Sequence, residues 1–245
     1  MGILPENSKT KGSIKYYNDE LNEKYLRKVR GKDIAFIPQS VDFLDPLMKV
    51  GKQVVGINGN KERQKEVFKK YNLDDKVAEM YPFQLSGGMA RRVLIATAVM
   101  NEAKLIIADE PTPGLNLELA METLNNFREI ADSGCGVLLI THDVDLALNV
   151  ADRIAVFYSG TIVEIAQVED FIKGKDALRH PYSKAFIDAL PQNKFKELPG
   201  YQPYAGNLPK GCLFRDRCSL KTDECCMEIK MRKVRDGEVR CINAT

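Results

Sequence analysis

LIIADEPTPGLNLELAMETLNNFREIADSGCGVLLITHD, residues 105–143, decides the fold. It opens on four apolar residues, Leu105-Ile-Ile-Ala108, that end abruptly in Asp109-Glu110-Pro111, the pattern of a buried strand with acids at its carboxyl end. From Leu117 to Asp132 the apolar residues Leu117, Ala120, Met121, Leu124, Phe127 and Ala131 follow helical spacing, and Asn116 is suited to cap that helix. A second apolar run, Val137-Leu-Leu-Ile140, reads as a second buried strand and ends in Thr141-His142-Asp143. Strand, helix and strand within about 35 residues make a βαβ unit, which implies a right-handed crossover and a parallel sheet. Ligands of open parallel sheets sit beyond the carboxyl ends of the strands. Asp109, Glu110, His142 and Asp143 are therefore predicted to converge on one crevice.

Upstream, Asp33-Ile-Ala-Phe-Ile-Pro38 reads as a short buried strand that delivers Gln39 to its end, and Gly12–Tyr17 looks extended. Lys61–Tyr71 and Asp75–Tyr81 are helix-like and rich in charge. Ser86 opens a strong helical pattern containing Val93, Leu94, Ala96, Val99 and Met100. Downstream, Arg153–Tyr158 and Thr161–Ile165 flank Ser159-Gly160, a tight hairpin signal. After about Lys175 the chain becomes Pro-punctuated and then Cys-rich. The expected organisation is an α/β domain over residues 1–174 and a small extension over 175–245.

The 245 residues are enough for one buried α/β core and an appendage. The 36 basic and 34 acidic residues are interspersed and leave a net charge of +2, so no basic footprint for nucleic acid or anionic lipid is present. No apolar run approaches the ~18 residues of a membrane span, and Met1–Thr10 has no apolar signal core. The expected location is the cytoplasm, with any membrane contact made through a partner.

Each chemical group has a plain structural alternative when taken singly. Leu85-Ser-Gly-Gly-Met89 sets two glycines at a helix start, where unpaired N–H groups and a partial positive charge suit a phosphate, although Ser86 can equally be a simple cap. In phosphate-binding enzymes an aspartate like Asp109 holds magnesium and a neighbour like Glu110 orients or deprotonates the attacking water; two solvated acids at a strand end is the alternative. His142 reaches toward a terminal phosphate or is a structural histidine. Gln39 is comparable.

Taken in order, Gln39 after its strand, Leu85-Ser-Gly-Gly-Met-Ala-Arg-Arg92, Leu105-Ile-Ile-Ala-Asp-Glu-Pro-Thr112, Gly114-Leu-Asn116 and Ile140-Thr-His-Asp143 resemble the motif series of the ABC ATPases, over residues 33 to 166. The resemblance implies a P-loop NTPase domain with a helical subdomain. Within it, Gln39 would be the Q-loop, Ser86, Gly87 and Gly88 the signature, Asp109 the magnesium-binding acid, Glu110 the general base and His142 the switch histidine, with ATP and Mg2+ as ligands. It also implies a second ATPase subunit, two permease subunits that place the chain on the inner face of the membrane, and an indirect link to a solute-binding protein.

Three departures are visible. The loop G-x-x-x-x-G-K-S/T, whose amides and lysine hold phosphates, is absent. Gly2-Ile-Leu-Pro5 looks like the tail of the helix that follows such a loop, so the N-terminal phosphate-binding unit is expected to be missing. Met89 replaces the usual glutamine, and Asn116 the usual aspartate. Two readings follow beside that of a working ATPase: a helper that donates its signature motif to a partner's nucleotide, and a truncated gene product.

Five of the six cysteines follow residue 211. Clustered cysteines in a cytosolic chain more often mean metal than disulfide. The stretch resembles the extension of peptide and nickel importer ATPases, with His180-Pro-Tyr182 opening a helix and Leu208-Pro-x-Gly-Cys-x-Phe214 preceding Arg217-Cys218. Cys212, Cys218, Cys225 and Cys241 are the expected ligands of a 4Fe-4S cluster or Zn2+, with Cys226 the competitor of Cys225.

Overall fold

The protein is described by a computed structural model covering residues 7–56, 59–193 and 195–245; the reading of Gly2–Pro5 lies outside these residues. Two compact units form, Met1–Val144 and Asp145–Thr245.

The first unit begins with a small antiparallel pair, β1 (Lys15–Tyr16) and β2 (Asp19–Glu20), and a short helix α1 (Glu23–Val29) that the sequence reading missed. β3 (Ile34–Ile37) follows, then α2 (Val50–Val55), α3 (Lys61–Lys70), α4 (Gly87–Val99), β4 (Leu105–Asp109), α5 (Leu117–Asp132) and β5 (Gly136–Ile140). The stretch expected to be helical at 75–81 is a tighter 3-10 turn, Asp75–Glu79, because Asp74 accepts the Lys76 N–H at 2.9 Å and holds the start in turn geometry.

β3, β4 and β5 form a parallel sheet in the order β3-β4-β5, with Ile37 opposite Ala108 and Asp109 opposite Ile140. The βαβ unit is thus β4-α5-β5. Asn116 caps α5 by accepting the Leu119 N–H at 2.9 Å. β5 departs from the buried strand expected: Leu138 and Ile140 are 52% and 47% exposed. Its side chains alternate: the face carrying Leu138 and Ile140 is uncovered among the described residues, while Val137 and Leu139 lie on the face of the buried Ile106 and Ala108 of β4. α4 is apolar nearly all round, as a core helix should be, with Val93, Ile95 and Ala96 almost fully buried.

The second unit takes α6 (Val144–Val150) from its second residue onward, then β6 (Arg153–Tyr158), β7 (Thr161–Gln167), α7 (Val168–Ile172), α8 (Pro181–Ala189), β8 (Arg232–Val234) and β9 (Gly237–Val239). The β6-β7 hairpin turns at Ser159 and Gly160, both with positive φ (48° and 77°), as the sequence signal demanded. β9 adds to β7, so the sheet order is β6-β7-β9-β8 and the Cys-rich region shares a sheet with the hairpin. Val156, Tyr158, Val163, Leu178, Ile187 and Phe214 form its core.

A buried ionic network sits beneath that sheet. Glu164 accepts from the Arg179 N–H and the His180 N–H, both at 2.8 Å, and from the Arg179 guanidinium at 3.4 Å. Arg179 also reaches Asp170 at 2.8 Å and the Val234 carbonyl at 2.6 Å. His180 caps α8 by accepting the Tyr182 N–H on Nδ1 at 3.0 Å, and burial pushes its imidazole down to about 4. No disulfide is present; all six cysteines are free. Arginines do part of the stapling instead, Arg217 to the Leu198 and Pro199 carbonyls, Arg232 to Cys241 and Ile242, and Arg240 to Ile162 and Ile229.

Candidate functional site

Parallel register sets the rim of the site. Because Asp109 lies opposite Ile140, the residues that follow, Glu110 and Thr141-His142, leave adjacent strand ends side by side. The Glu110 N–H extends the ladder one step, donating to the Ile140 carbonyl at 2.9 Å. On the other flank, Ile37 pairs with Ala108, which brings Pro38-Gln39 to the same level.

Two of the expected residues touch. His142 Nδ1 lies 2.8 Å from Glu110 Oε1. The hydrogen bond to the Glu110 carboxylate, then its charge, raises the imidazole pKa above the usual 6.5. His142 itself is 79% exposed, whereas Glu110 is largely covered. The second carboxylate oxygen, Glu110 Oε2, is buried with no hydrogen-bond partner among the described residues. Glu110 also has φ +46°, the left-handed region that a side chain rarely adopts. Strain and an unsatisfied acceptor on one residue are features that concentrate at functional sites.

Asp109 is half-buried at the end of β4, which brings a second carboxylate to this rim beside Glu110. Ser86 sits at the start of α4, where it accepts the Met89 N–H at 3.3 Å. Met89 therefore contributes its main chain here, which explains why a methionine in place of glutamine leaves the cap intact. A Cβ on Gly87 would meet nothing within 4 Å, and one on Gly88 only a Leu115 methyl at 3.8 Å, so the first turn of α4 is sterically open.

Sequence reasoning missed Arg91. Buried in α4, it donates to the Pro38 carbonyl at 2.8 Å and the Gln39 carbonyl at 2.6 Å, joining α4 to the end of β3. The available signal was a pair of cations, Arg91 and Arg92, inside the mostly apolar stretch Ala90 to Ala98.

A cavity of about 680 Å3 lies at the opposite, amino-terminal ends of β4 and β5, lined in part by Lys104 and Cys135. Its charges neutralise one another, Arg63 with Glu66 at 3.1 Å and Lys70 with Glu129 at 3.0 Å. It is remote in register from Glu110 and His142 and is not the chemical site.

The cysteine expectation meets a correction in geometry. Among the described residues no three Cys, His, Asp or Glu side chains are arranged to hold a metal ion, so Cys212, Cys218, Cys225 and Cys241 as placed do not form a coordination group. Cys226 is exposed. Cys218 Sγ accepts the Leu220 N–H at 3.4 Å, and burial pushes the Cys212, Cys218 and Cys241 thiols up.

Residues 2–113 match the family described as ABC transporter, and residues 163–225 match the C-terminal region of oligopeptide/dipeptide transporters. The oligopeptide transport ATP-binding protein OppD of Haemophilus influenzae is 31% identical, over 98% of this chain and 80% of its own length. The dipeptide transport ATP-binding protein DppD of the same organism is 31% identical over 98% and 79%. OppD of Mycobacterium tuberculosis is 32% identical over 92% of this chain and 40% of its own length. Among solved structures, a dimeric bacterial ABC transporter cassette superposes with a TM-score of 0.59 at 28% identity, over 65% of this chain and 74% of that one. A dimeric cassette in a post-hydrolysis state with ADP and Pi gives a TM-score of 0.58 at 26% identity, over the same 65% and 74%. Among the described residues no helix is long and apolar enough to cross a membrane.

Proposed function

Because the chain belongs to the ABC transporter ATP-binding family, with the C-terminal region of its oligopeptide/dipeptide branch, we propose that it is the ATP-hydrolysing subunit of a peptide importer. One observation carries the catalytic reading: the Glu110 carboxylate is held on one oxygen by His142 at 2.8 Å, and its other oxygen is buried with no partner among the described residues. In this reading Glu110 Oε2 takes the proton of the water that attacks the terminal phosphate, and His142 fixes the carboxylate's orientation. Asp109 holds magnesium, which when bound neutralises phosphate charge. The open N–H groups at Ser86, Gly87 and Gly88 face a nucleotide held by a second ATPase subunit, and Gln39 works at the rim.

The phosphate-holding loop is not within these 245 residues. The reading therefore takes it from other residues of the assembly, and the helper role, signature donation without hydrolysis at Glu110, is the second reading. Exposed Phe43, Leu47, Met48 and Phe83 support permease docking; their segments are tied by the Val50 N–H to the Met80 carbonyl at 2.9 Å and by Lys49 to Glu79 at 2.7 Å. That contact would hold the subunit at the inner face of the membrane. We keep residues 1–174 and 175–245 as the functional division, supported by the change in composition.

The test is ATP-driven uptake of labelled peptide into vesicles holding the permease subunits, a loop-bearing partner ATPase and this chain. Ser86→Arg fills the open first turn of α4 and is expected to lower uptake on the order of 100-fold, the scale of losing a phosphate donor. Wild-type uptake with Ser86→Arg would remove the signature role; uptake of nickel in place of peptide would move the solute to that branch.

As a finer reading, we propose that Cys212, Cys218, Cys225 and Cys241 close on iron or zinc when it is supplied, supported by the Leu220 N–H facing Cys218 Sγ at 3.4 Å and by Asn243 Nδ2 at 3.8 Å from Cys225 Sγ. Metal content of anaerobically purified protein is expected to approach one site per chain and to fall in Cys218→Ser. Protein free of both metals would end this reading.

A further inference from the structure

Among the described residues of Met1–Val144, Arg91 alone of the charged side chains is buried, at 6% exposed. A buried cation normally has a carboxylate partner, since desolvation of an unpaired charge is costly. Arg91 has two carbonyls instead. Nη1 donates to the Pro38 carbonyl at 2.8 Å and Nη2 to the Gln39 carbonyl at 2.6 Å, while Nε is buried with no partner among the described residues. Burial lowers its pKa with no compensating anion. Pro38 and Gln39 follow directly on β3, and their carbonyls leave the sheet ladder as the chain turns away toward Ser40. The planar fork of a guanidinium satisfies both at once, which a lysine ammonium does less well.

The two ends of this contact lie on different functional parts. Arg91 stands one helical turn after Gly87, in the helix whose first turn offers Ser86, Gly87 and Gly88 to phosphate. Gln39 is at the rim with its side chain exposed and its carbonyl anchored inside. Resting on the proposed ATPase reading, we propose that Arg91 is a positioning residue that locks the Gln39 main chain to the signature helix, so that docking of that helix on nucleotide sets where the Gln39 side chain stands. Arg91 touches no substrate in this role; it acts through Gln39.

The experiment uses the assembled transporter with Arg91→Met and Arg91→Lys, reading kcat and KM for MgATP, melting temperature, and amide exchange over residues 39–43 and 105–109. Arg91→Met is expected to lower kcat roughly 10- to 100-fold, the scale of an ångström's misplacement, with KM within about 2-fold. Exchange at 39–43 should quicken while 105–109 stays protected, and Arg91→Lys should recover part of kcat. Wild-type kcat in Arg91→Met overturns the proposal, as does a parallel loosening of 105–109 that marks a general packing role. If Arg91→Met does not fold, Arg91→Lys decides: reduced kcat at native melting temperature supports the lock, and wild-type kcat overturns it. Absence of turnover in the wild-type assembly would instead fail the ATPase reading, which is thereby told apart.

Discussion

Glu110→Gln is expected to cut ATP turnover of the assembled transporter by roughly 10²- to 10⁴-fold, the worth of a positioned general base. Glutamine keeps the shape and can still meet His142, so nucleotide binding should persist. What it removes is the buried acceptor oxygen, Oε2, now without a partner. A second readout comes from the same substitution. Glu110 is the first cause of the raised His142 pKa, so the imidazole midpoint should fall in Glu110→Gln. The sign follows from linkage: a raised folded pKa gives stability that is full below the unfolded value of about 6.5 and is lost as pH climbs through the folded one. That increment should vanish in the variant. Proton NMR can follow it cleanly, because the other histidine, His180, titrates far away at about 4. Unchanged turnover would return Glu110 to a structural role, and an unmoved titration would deny the contact with His142.

Arg179→Met is the variant expected to cost most in stability, about 3–5 kcal/mol, because it strands a carboxylate that is out of water. Glu164 is 0% exposed and Arg179 2%, and Arg179 also serves Asp170 and the Val234 carbonyl. Glu164 would keep the N–H groups of residue 179 and His180, so the loss should stop short of the full desolvation penalty. Adding Glu164→Gln should give back part of the cost, since the double variant buries no unpaired charge at that position. The steric version of the test is Gly237→Ala, whose Cβ would stand 2.6 Å from the Arg179 guanidinium carbon. Urea unfolding followed by tyrosine fluorescence measures all three in a chain without tryptophan. A cost below about 1 kcal/mol for Arg179→Met, the range of an exposed pair, would show that the network contributes little.

Local patterns in the chain settled a good deal. The helical spacing from Leu117 to Asp132 has the bounds of α5, although Leu117 is 73% exposed, and Asn116 and Ser86 cap α5 and α4. Ser159-Gly160 made its hairpin. The failures share one cause. Val137–Ile140 looks buried because it is apolar, yet a strand is covered only if other elements lie on both faces, and the face of β5 that carries Leu138 and Ile140 is uncovered among the described residues. β8 and β9 carry too few apolar residues to announce strands; they exist because β7 offers β9 a ladder across 73 to 75 positions, as in Glu164 opposite Val239 and Ile165 opposite Glu238.

The sequence by itself determined the βαβ core, the order of motifs that marks the family, and the candidates Asp109, Glu110, His142, Gln39 and Ser86, because spacing and residue type are properties of short segments. Only the tertiary structure decided that Glu110 and His142 touch, that Arg91 reaches the Pro38 and Gln39 carbonyls, that Glu164 and Arg179 share a dry interior, and that the cysteines stop short of a coordination group. Those facts depend on register and on which polar atoms lose water when distant parts of the chain meet, and no local pattern carries them.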